Sequence, residues 1–363
     1  MIQETTCVER FIDLLTTRIS DVDEICKATN LVFHNRVPRD YVINRIENVL
    51  PKYRERLAEL REIPVIEQRS QEWYDARKSI ITASDFAQAL GEGKFGTQKQ
   101  FYQKKCGYES EKFDPYVPPL KWGCMFESVA ADIYANRNHV TLHEFGLLRH
   151  PTVSYFGASP DGITEHGIML EIKCPFKRKI TGEVPQQYLL QVQGQLDVCD
   201  LEECDYLECE FVTDHDADFW FTFNEYPFEQ GVIVEMPRGT ADVPVYKYNP
   251  FGASKDELRQ WMLNETIPGC MIHEWRLKQY NVVRIYRDAQ LLNEKFDQLK
   301  DVWDNVERYR TDKGAYDRET ATISRGGAAS KRATAATTPQ PESDPYSFTF
   351  RTTSTPINYS FRT

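Results

Sequence analysis

Three residues in one short stretch have the types and spacing for phosphoryl chemistry. Asp161 follows Pro160, and Glu171 and Lys173 flank Ile172 shortly after it. The stretch reads as two short β runs, Tyr155 to Ile163 and Gly167 to Phe176, joined by a polar turn at Thr164, Glu165 and His166. Residues two apart on a strand project to one face, so Glu171 and Lys173 stand side by side. A carboxylate and an ammonium in an otherwise apolar strand are costly to bury unless something uses them. Two carboxylates suit Mg²⁺, with Mn²⁺ as a substitute. Mg²⁺ binds through one or two carboxylates and keeps waters and substrate phosphate as its other ligands. Such an ion acidifies a bound water and neutralises charge at phosphorus. The neighbouring lysine can orient or deprotonate that water. The competing reading is a surface hairpin with an incidental ion pair, because short spacings of common residues recur by chance.

Composition sets the frame for that site. The chain has 363 residues, 41% hydrophobic and 27% charged, as in a globular protein of one large or two moderate domains. No apolar run approaches the length of a membrane-spanning helix, so no membrane partner is expected. The first residues lack the basic and apolar regions of a signal peptide, and an intracellular location is the expectation. Nine cysteines, an odd number with no C-x-x-C pair, fit reduced intracellular thiols. The evenly spaced Cys199, Cys204 and Cys209 are too far apart for an ordinary soft-metal site. A net charge of −11 is no nucleic-acid signature in itself. Binding depends on where basic residues cluster, so a basic groove on an acidic body is expected.

Residues 1–62 read as a helical extension, with apolar three- and four-residue steps over Val8–Ile19, Val22–Phe33 and Arg39–Arg61, the last interrupted by Pro51. Ser70 can cap a helix carrying Trp73, Tyr74 and Arg77. After a β-prone break at Ile80–Thr82, Ser84 can cap a second helix through Leu90. Arg77 and Ser84 then converge on an anion, helped by that helix's N-terminal N–H groups. Gly91 to Gly96 matches G-x-G-x-x-G but follows a helix rather than a strand, so it reads as a loop, with Lys94, Lys99, Lys104 and Lys105 available for phosphates. A helix over 121–137 offers Glu127 early in its course. A helix over 185–200 carries a polar stripe of Tyr188, Gln191 and Gln195 beside its core stripe. Strands are expected at Tyr206–Val212, Phe219–Phe223, Gly231–Met236 and Pro244–Tyr248, and helices at 254–264 and 284–310. Asp214 to Asp218 reads as an acidic turn rather than a calcium loop. Residues 313–363 turn to Ser, Thr, Ala, Gly and Pro, which predicts a disordered tail. It contains the repeat Tyr346–Thr352 and Tyr359–Thr363, a candidate docking peptide.

Asp-x9-Glu-x-Lys is the pattern of the PD-(D/E)xK nuclease superfamily. More specifically, the chain resembles the phage lambda exonuclease and YqaJ-type viral recombinase family. The stretches that carry the resemblance are Trp73-x3-Arg77-x3-Ile81-Thr82-Ala83-Ser84, Trp122-Gly123-x3-Glu127, Ser159-Pro160-Asp161-Gly162, Glu171-x-Lys173-Cys174-Pro175-Phe176 and Tyr188-x2-Gln191-Val192-Gln193, in family order over about residues 68–200. The resemblance implies an α/β fold of restriction-endonuclease type, a mixed central sheet flanked by helices, spanning residues 63–312. It implies that Asp161, Glu171 and the carbonyl of Ile172 hold Mg²⁺, with Glu127 joining directly or through water. It implies that Lys173 positions the attacking water, and that Arg77, Ser84, Ser159 and Gln191 grip a 5′-phosphate. The implied activity is 5′-to-3′ digestion of one strand from double-stranded DNA ends, leaving a 3′ overhang for a single-strand annealing protein during recombination or repair. A homo-oligomer, a trimer by resemblance, goes with it. The alternatives are a structure-specific endonuclease or flap nuclease using the same metal site, and a non-catalytic DNA-end binder.

Overall fold

In a computed structural model, residues 2–66, 68, 70–108, 114–213, 219–239 and 243–326 are described. In chain order the elements are α1 (Ile2–Thr16), α2 (Val22–Val32), α3 (Arg39–Asn44), α4 (Leu50–Arg61), α5 (Gln71–Lys78), β1 (Ile81–Thr82), α6 (Phe86–Ala89), α7 (Gln98–Cys106), α8 (Pro118–Asn138), β2 (Leu142–His143), β3 (Leu148–Arg149), β4 (Phe156–Ala158), β5 (Gly162–Thr164), β6 (Met169–Lys173), α9 (Gln186–Cys199), β7 (Glu203–Val212), β8 (Gln230–Glu235), β9 (Tyr246–Tyr248), α10 (Lys255–Glu265), β10 (Met271–Tyr286), α11 (Ala289–Thr311) and α12 (Lys313–Gly326). A π-helical turn, Arg45–Val49, lies between α3 and α4. It precedes Pro51, which has no N–H to give to an α-helical carbonyl.

Two compact units divide the chain, with the break after Lys52. The first, from the N-terminus to Lys52, closes around Val8, Ile12, Ile25, Cys26, Val37 and Val42. Its buried Arg45 donates to Asp13 at 2.7 Å. The second unit runs from Tyr53 to Arg332. The end of α4 belongs to it: Leu57 and Leu60 join its main core.

The second unit is the mixed α/β architecture that the motifs imply. A seven-stranded sheet runs in the order β2-β5-β6-β7-β10-β8-β9, and β1-β4-β3 form a smaller one. Among the described residues of the large sheet only β6 and β7 pair in parallel, and α9 makes the connection between them, as a parallel pair requires. The β6–β7 layer is covered on both sides. Leu170, Ile172, Leu207 and Cys209 pack on Phe126, Val129, Ala130 and Ile133 of α8. Met169, Cys204 and Tyr206 pack toward Leu190, Val192 and Leu196 of α9. Burial on both faces means that the charged residues of these strands, Glu171, Glu203, Asp205 and Glu208 among them, must find partners inside.

Several expectations are corrected. The centre of the large sheet includes a 16-residue strand, β10, paired antiparallel with both β7 and β8. Its Lys, Arg, Gln and Asn residues mask its alternation, and it takes residues 284–286 from the expected helix, which starts at Ala289. Phe219–Phe223 is not a strand. Its rings cluster with Val232 and Leu258, and Arg276 donates to the Phe219 carbonyl and to Thr222 Oγ1. The expected tail begins as helix α12: Ala315, Tyr316 and Thr320 are buried, and Glu319 accepts from Tyr309 Oη at 2.8 Å. The Phe-Arg-Thr repeat and Asp214–Asp218 lie outside the described residues.

Candidate active site

The β5–β6 hairpin sets the centre of the site. Its turn uses Gly167 with φ +77°, where a Cβ would meet the Tyr53 carbonyl oxygen at 2.4 Å. Only glycine satisfies both the left-handed backbone and that approach. The hairpin returns β6 beside Asp161, whose Oδ2 accepts the Ile172 N–H at 2.7 Å. That bond places one carboxylate against the backbone between Glu171 and Lys173.

Glu171 is buried, and three side chains hold its carboxylate. Lys173 Nζ and Gln191 Nε2 donate to Oε1, the latter at 2.7 Å, and Gln195 Nε2 donates to Oε2 at 2.7 Å. A carboxylate offers about four lone-pair directions, so one direction on Oε2 stays available. The pair is electrostatically crowded. Burial, then Glu171, then Glu127 raise the Asp161 carboxyl well above the ordinary aspartate range. Burial alone would lower the Lys173 ammonium, but Glu171 and Asp161 overcome that and raise it.

The residues expected to grip phosphate connect to this centre through two side chains. Arg77 Nη2 donates to Ser84 Oγ at 2.9 Å, and its guanidinium lies over the Trp73 ring at 4.1 Å. Trp73 Nε1 donates to Ser159 Oγ at 3.1 Å. The Ser159 carbonyl accepts from Gln195 Nε2 at 3.4 Å, and the same amide reaches Glu171. Trp73 and Gln195 thus join Arg77 and Ser84 to the carboxylates. Gln191 faces Glu171 in this structure. Gln195 was legible as part of a polar stripe on α9, but its partner was not, because the stripe does not say which strand it meets.

Two expectations about the grip are corrected. Ser84 caps no helix. It lies in the short 3₁₀ turn Ala83–Asp85, and the four-residue α6 that follows has no side-chain cap. Lys105 is unavailable to phosphate, because it is buried and donates to Asp85 and to the Arg77 carbonyl, each at 2.8 Å.

Among the described residues, no three or more His, Cys, Asp and Glu side chains form a metal-binding group. The donors present still fit a divalent cation. Asp161 and Glu171 are adjacent hard oxygen ligands, and the crowding that raises Asp161 is relieved by positive charge between them.

Residues 72–202 match the family model of the YqaJ-like viral recombinase domain. The matched stretch holds Arg77, Ser84, Glu127, Ser159, Asp161, Glu171, Lys173 and Gln191. Beyond the YqaJ-like domain, the chain is 27% identical to the uncharacterized protein R354 of Acanthamoeba polyphaga mimivirus, over 70% of this chain and 55% of that protein. It is 26% identical to a protein of African swine fever virus, over 36% of this chain and 46% of that one. The chain thus spans about half the length of these relatives. Of solved structures, an alkaline exonuclease from Laribacter hongkongensis superposes with a TM-score of 0.43 at 20% identity, covering 70% of this chain and all of that one. A phage-related exonuclease from Haemophilus somnus gives 0.35 at 13%, covering 69% and 99%. No helix among the described residues is long and apolar enough to cross a membrane.

Proposed function

We propose that this protein is a divalent-metal-dependent exonuclease that digests the 5′-ended strand of duplex DNA and leaves a 3′ overhang for recombination. The observation that carries the reading is the crowded pair Asp161 and Glu171 beside Lys173, inside a YqaJ-like domain. Asp161, Glu171 and the Ile172 carbonyl would hold Mg²⁺, with Glu127 joining directly or through water. When bound, the ion supplies an acidified water and charge neutralisation at phosphorus. Gln191 and Gln195 hold the Glu171 carboxylate in one orientation. Lys173 would donate an N–H hydrogen bond that positions the attacking water or a phosphate oxygen. Hydrolysis forms a new bond from water oxygen to phosphorus and breaks the bond to the 3′ oxygen, which takes up a proton. A mononucleotide leaves and the shortened strand carries a new 5′-phosphate.

An exonuclease must hold that new terminus in register, which an endonuclease need not do. Arg77 suits the task, since guanidinium offers a planar fork of donors to phosphate oxygens. Ser84 and Ser159 add neutral donors. The test compares wild type with Arg77→Ala on linear duplex bearing 5′-phosphate or 5′-hydroxyl ends, with closed circular duplex as a third substrate. Wild type should digest the phosphorylated linear duplex and spare the circle. Arg77→Ala should lose roughly ten- to hundredfold on phosphorylated ends, the worth of one charged hydrogen bond, and change little on hydroxyl ends. Cutting of the circle, or equal losses on both ends, would favour the endonuclease.

A further inference from the structure

The face that carries Glu171 and Lys173 continues onto β7. The parallel register sets Glu171 beside Tyr206 and Lys173 beside Glu208, so all four side chains share one face. Glu208 is fully buried. Its Oε1 accepts from Arg178 Nη2 at 2.5 Å and from Tyr206 Oη at 3.1 Å. Its Oε2 is also buried and has no hydrogen-bond partner among the described residues. A buried carboxylate with one oxygen unused is poor for stability, and an apolar side chain would fill the same space at lower cost. The arrangement makes sense through what Glu208 holds.

Arg178 reaches outward. Its side chain is 32% exposed, in the basic loop Lys177-Arg178-Lys179 that follows β6. Its guanidinium lies 5.7 Å from the centre of the Tyr188 ring, and Lys173 Nζ lies 5.0 Å from the same ring. The ring and the carboxylate thus fix a flexible cation next to the lysine of the site. A guanidinium has five N–H donors, and Glu208 takes one. The Lys179 carbonyl, at 3.5 Å from Nη1, makes at best a weak bond. Donors remain to meet an anion.

We propose that Arg178 binds a non-terminal backbone phosphate of the DNA strand beside Lys173, and that Glu208 is the positioning residue that holds it there. This rests on the reading that the face binds DNA. Binding of duplex to the full-length protein in EDTA, at several salt concentrations, tests it with wild type, Arg178→Ala, Glu208→Gln and the double variant. Arg178→Ala should weaken binding roughly tenfold or more on 5′-phosphate and 5′-hydroxyl ends alike, unlike Arg77→Ala, and should lower the salt slope by about one. The double variant should bind more tightly than Arg178→Ala, because the bare carboxylate that repels the strand is gone. In steady-state cleavage, KM should rise with little change in kcat. An unchanged salt slope in Arg178→Ala that melts like wild type overturns the proposal, as do single-variant losses that simply multiply in the double variant. Failure of the wild type to bind any duplex removes the DNA reading and this proposal with it.

Discussion

Two aspartates of the second unit have opposite surroundings. Asp85 is buried and lies among cations: Lys105 Nζ at 2.8 Å and Lys104 Nζ at 3.2 Å, with Thr82 Oγ1 donating at 2.8 Å. Burial would raise its carboxyl, but Lys105, Lys104 and Arg77 overwhelm that and push it far below the ordinary range. Asp161 lies among carboxylates and is pushed the other way. The Asp85 cluster is complete as folded, and Lys105 also ties down the Arg77 carbonyl. The Asp161 cluster sets Asp161, Glu171 and Glu127 against one lysine, Lys173, a crowding that a proton or an added cation relieves. A compensated buried charge marks scaffold, and an uncompensated one marks a place where a ligand is due.

Neutralising each aspartate separates the two roles. The largest effect should come from Asp161→Asn, which removes a carboxylate proposed to hold the metal. Cleavage should fall by roughly three orders of magnitude with DNA binding largely kept. In metal-free buffer this variant should melt above wild type. Residual activity above about a tenth would remove Asp161 from the site. Lys173→Ala should cost roughly a hundredfold in kcat while Mg²⁺ still raises the melting temperature, a shift that Asp161→Asn should lack. Asp85→Asn should act on stability instead. It strands the buried Lys105 charge, which typically costs about 3–5 kcal/mol, read by denaturant unfolding. Unchanged stability together with lost activity would erase the distinction. Gln195→Leu should lower kcat roughly tenfold by freeing the Glu171 carboxylate, visible in single-turnover cleavage.

The smallest effect is a matter of sign. The Asp161 carboxyl holds its proton to higher pH when folded than when unfolded, so over that window the native state binds more protons and stability falls as pH rises. Asp85 works in reverse: its contribution is present above the unfolded carboxyl value and is lost as pH drops toward its depressed folded value. Melting curves against pH in EDTA should show the alkaline-side fall flattened in Asp161→Asn and the acid-side fall flattened in Asp85→Asn. Added Mg²⁺ should flatten the first alone.

Asp161, Glu171 and Lys173 are legible in the sequence because strand periodicity is a local rule that puts Glu171 and Lys173 on one face. Arg77 and Ser84 were legible as neighbours across a turn, although the helix cap assigned to Ser84 was not real. What stayed hidden depends on pairing. Glu208 is one of four acidic residues in β7, and only the β6–β7 register sets it beside Lys173. Gln195 became meaningful when α9 crossed β6. β10 was hidden because a central strand flanked by β7 and β8 can keep polar residues where ion pairs answer them, as Arg284 does with Asp205 and Glu203. Lys105 looked like a surface cation because sequence does not report which lysine of a basic run turns inward.

The close approach of Gly167 to Tyr53 bears on how the protein can be shortened. Composition invites a cut near residue 63, where the charged helix ends. Such a cut would strip away Tyr53, which donates to Glu203 at 2.9 Å, Arg56, which donates to the Cys199 carbonyl at 2.8 Å, and the buried Leu57 and Leu60. The hairpin that presents Asp161 and Glu171 would then lose its backing while every motif residue remained in the chain. A fragment starting at Tyr53 keeps that backing. An inactive fragment starting at 63 would therefore report a lost wall, and would say nothing about the N-terminal helices as a source of catalysis.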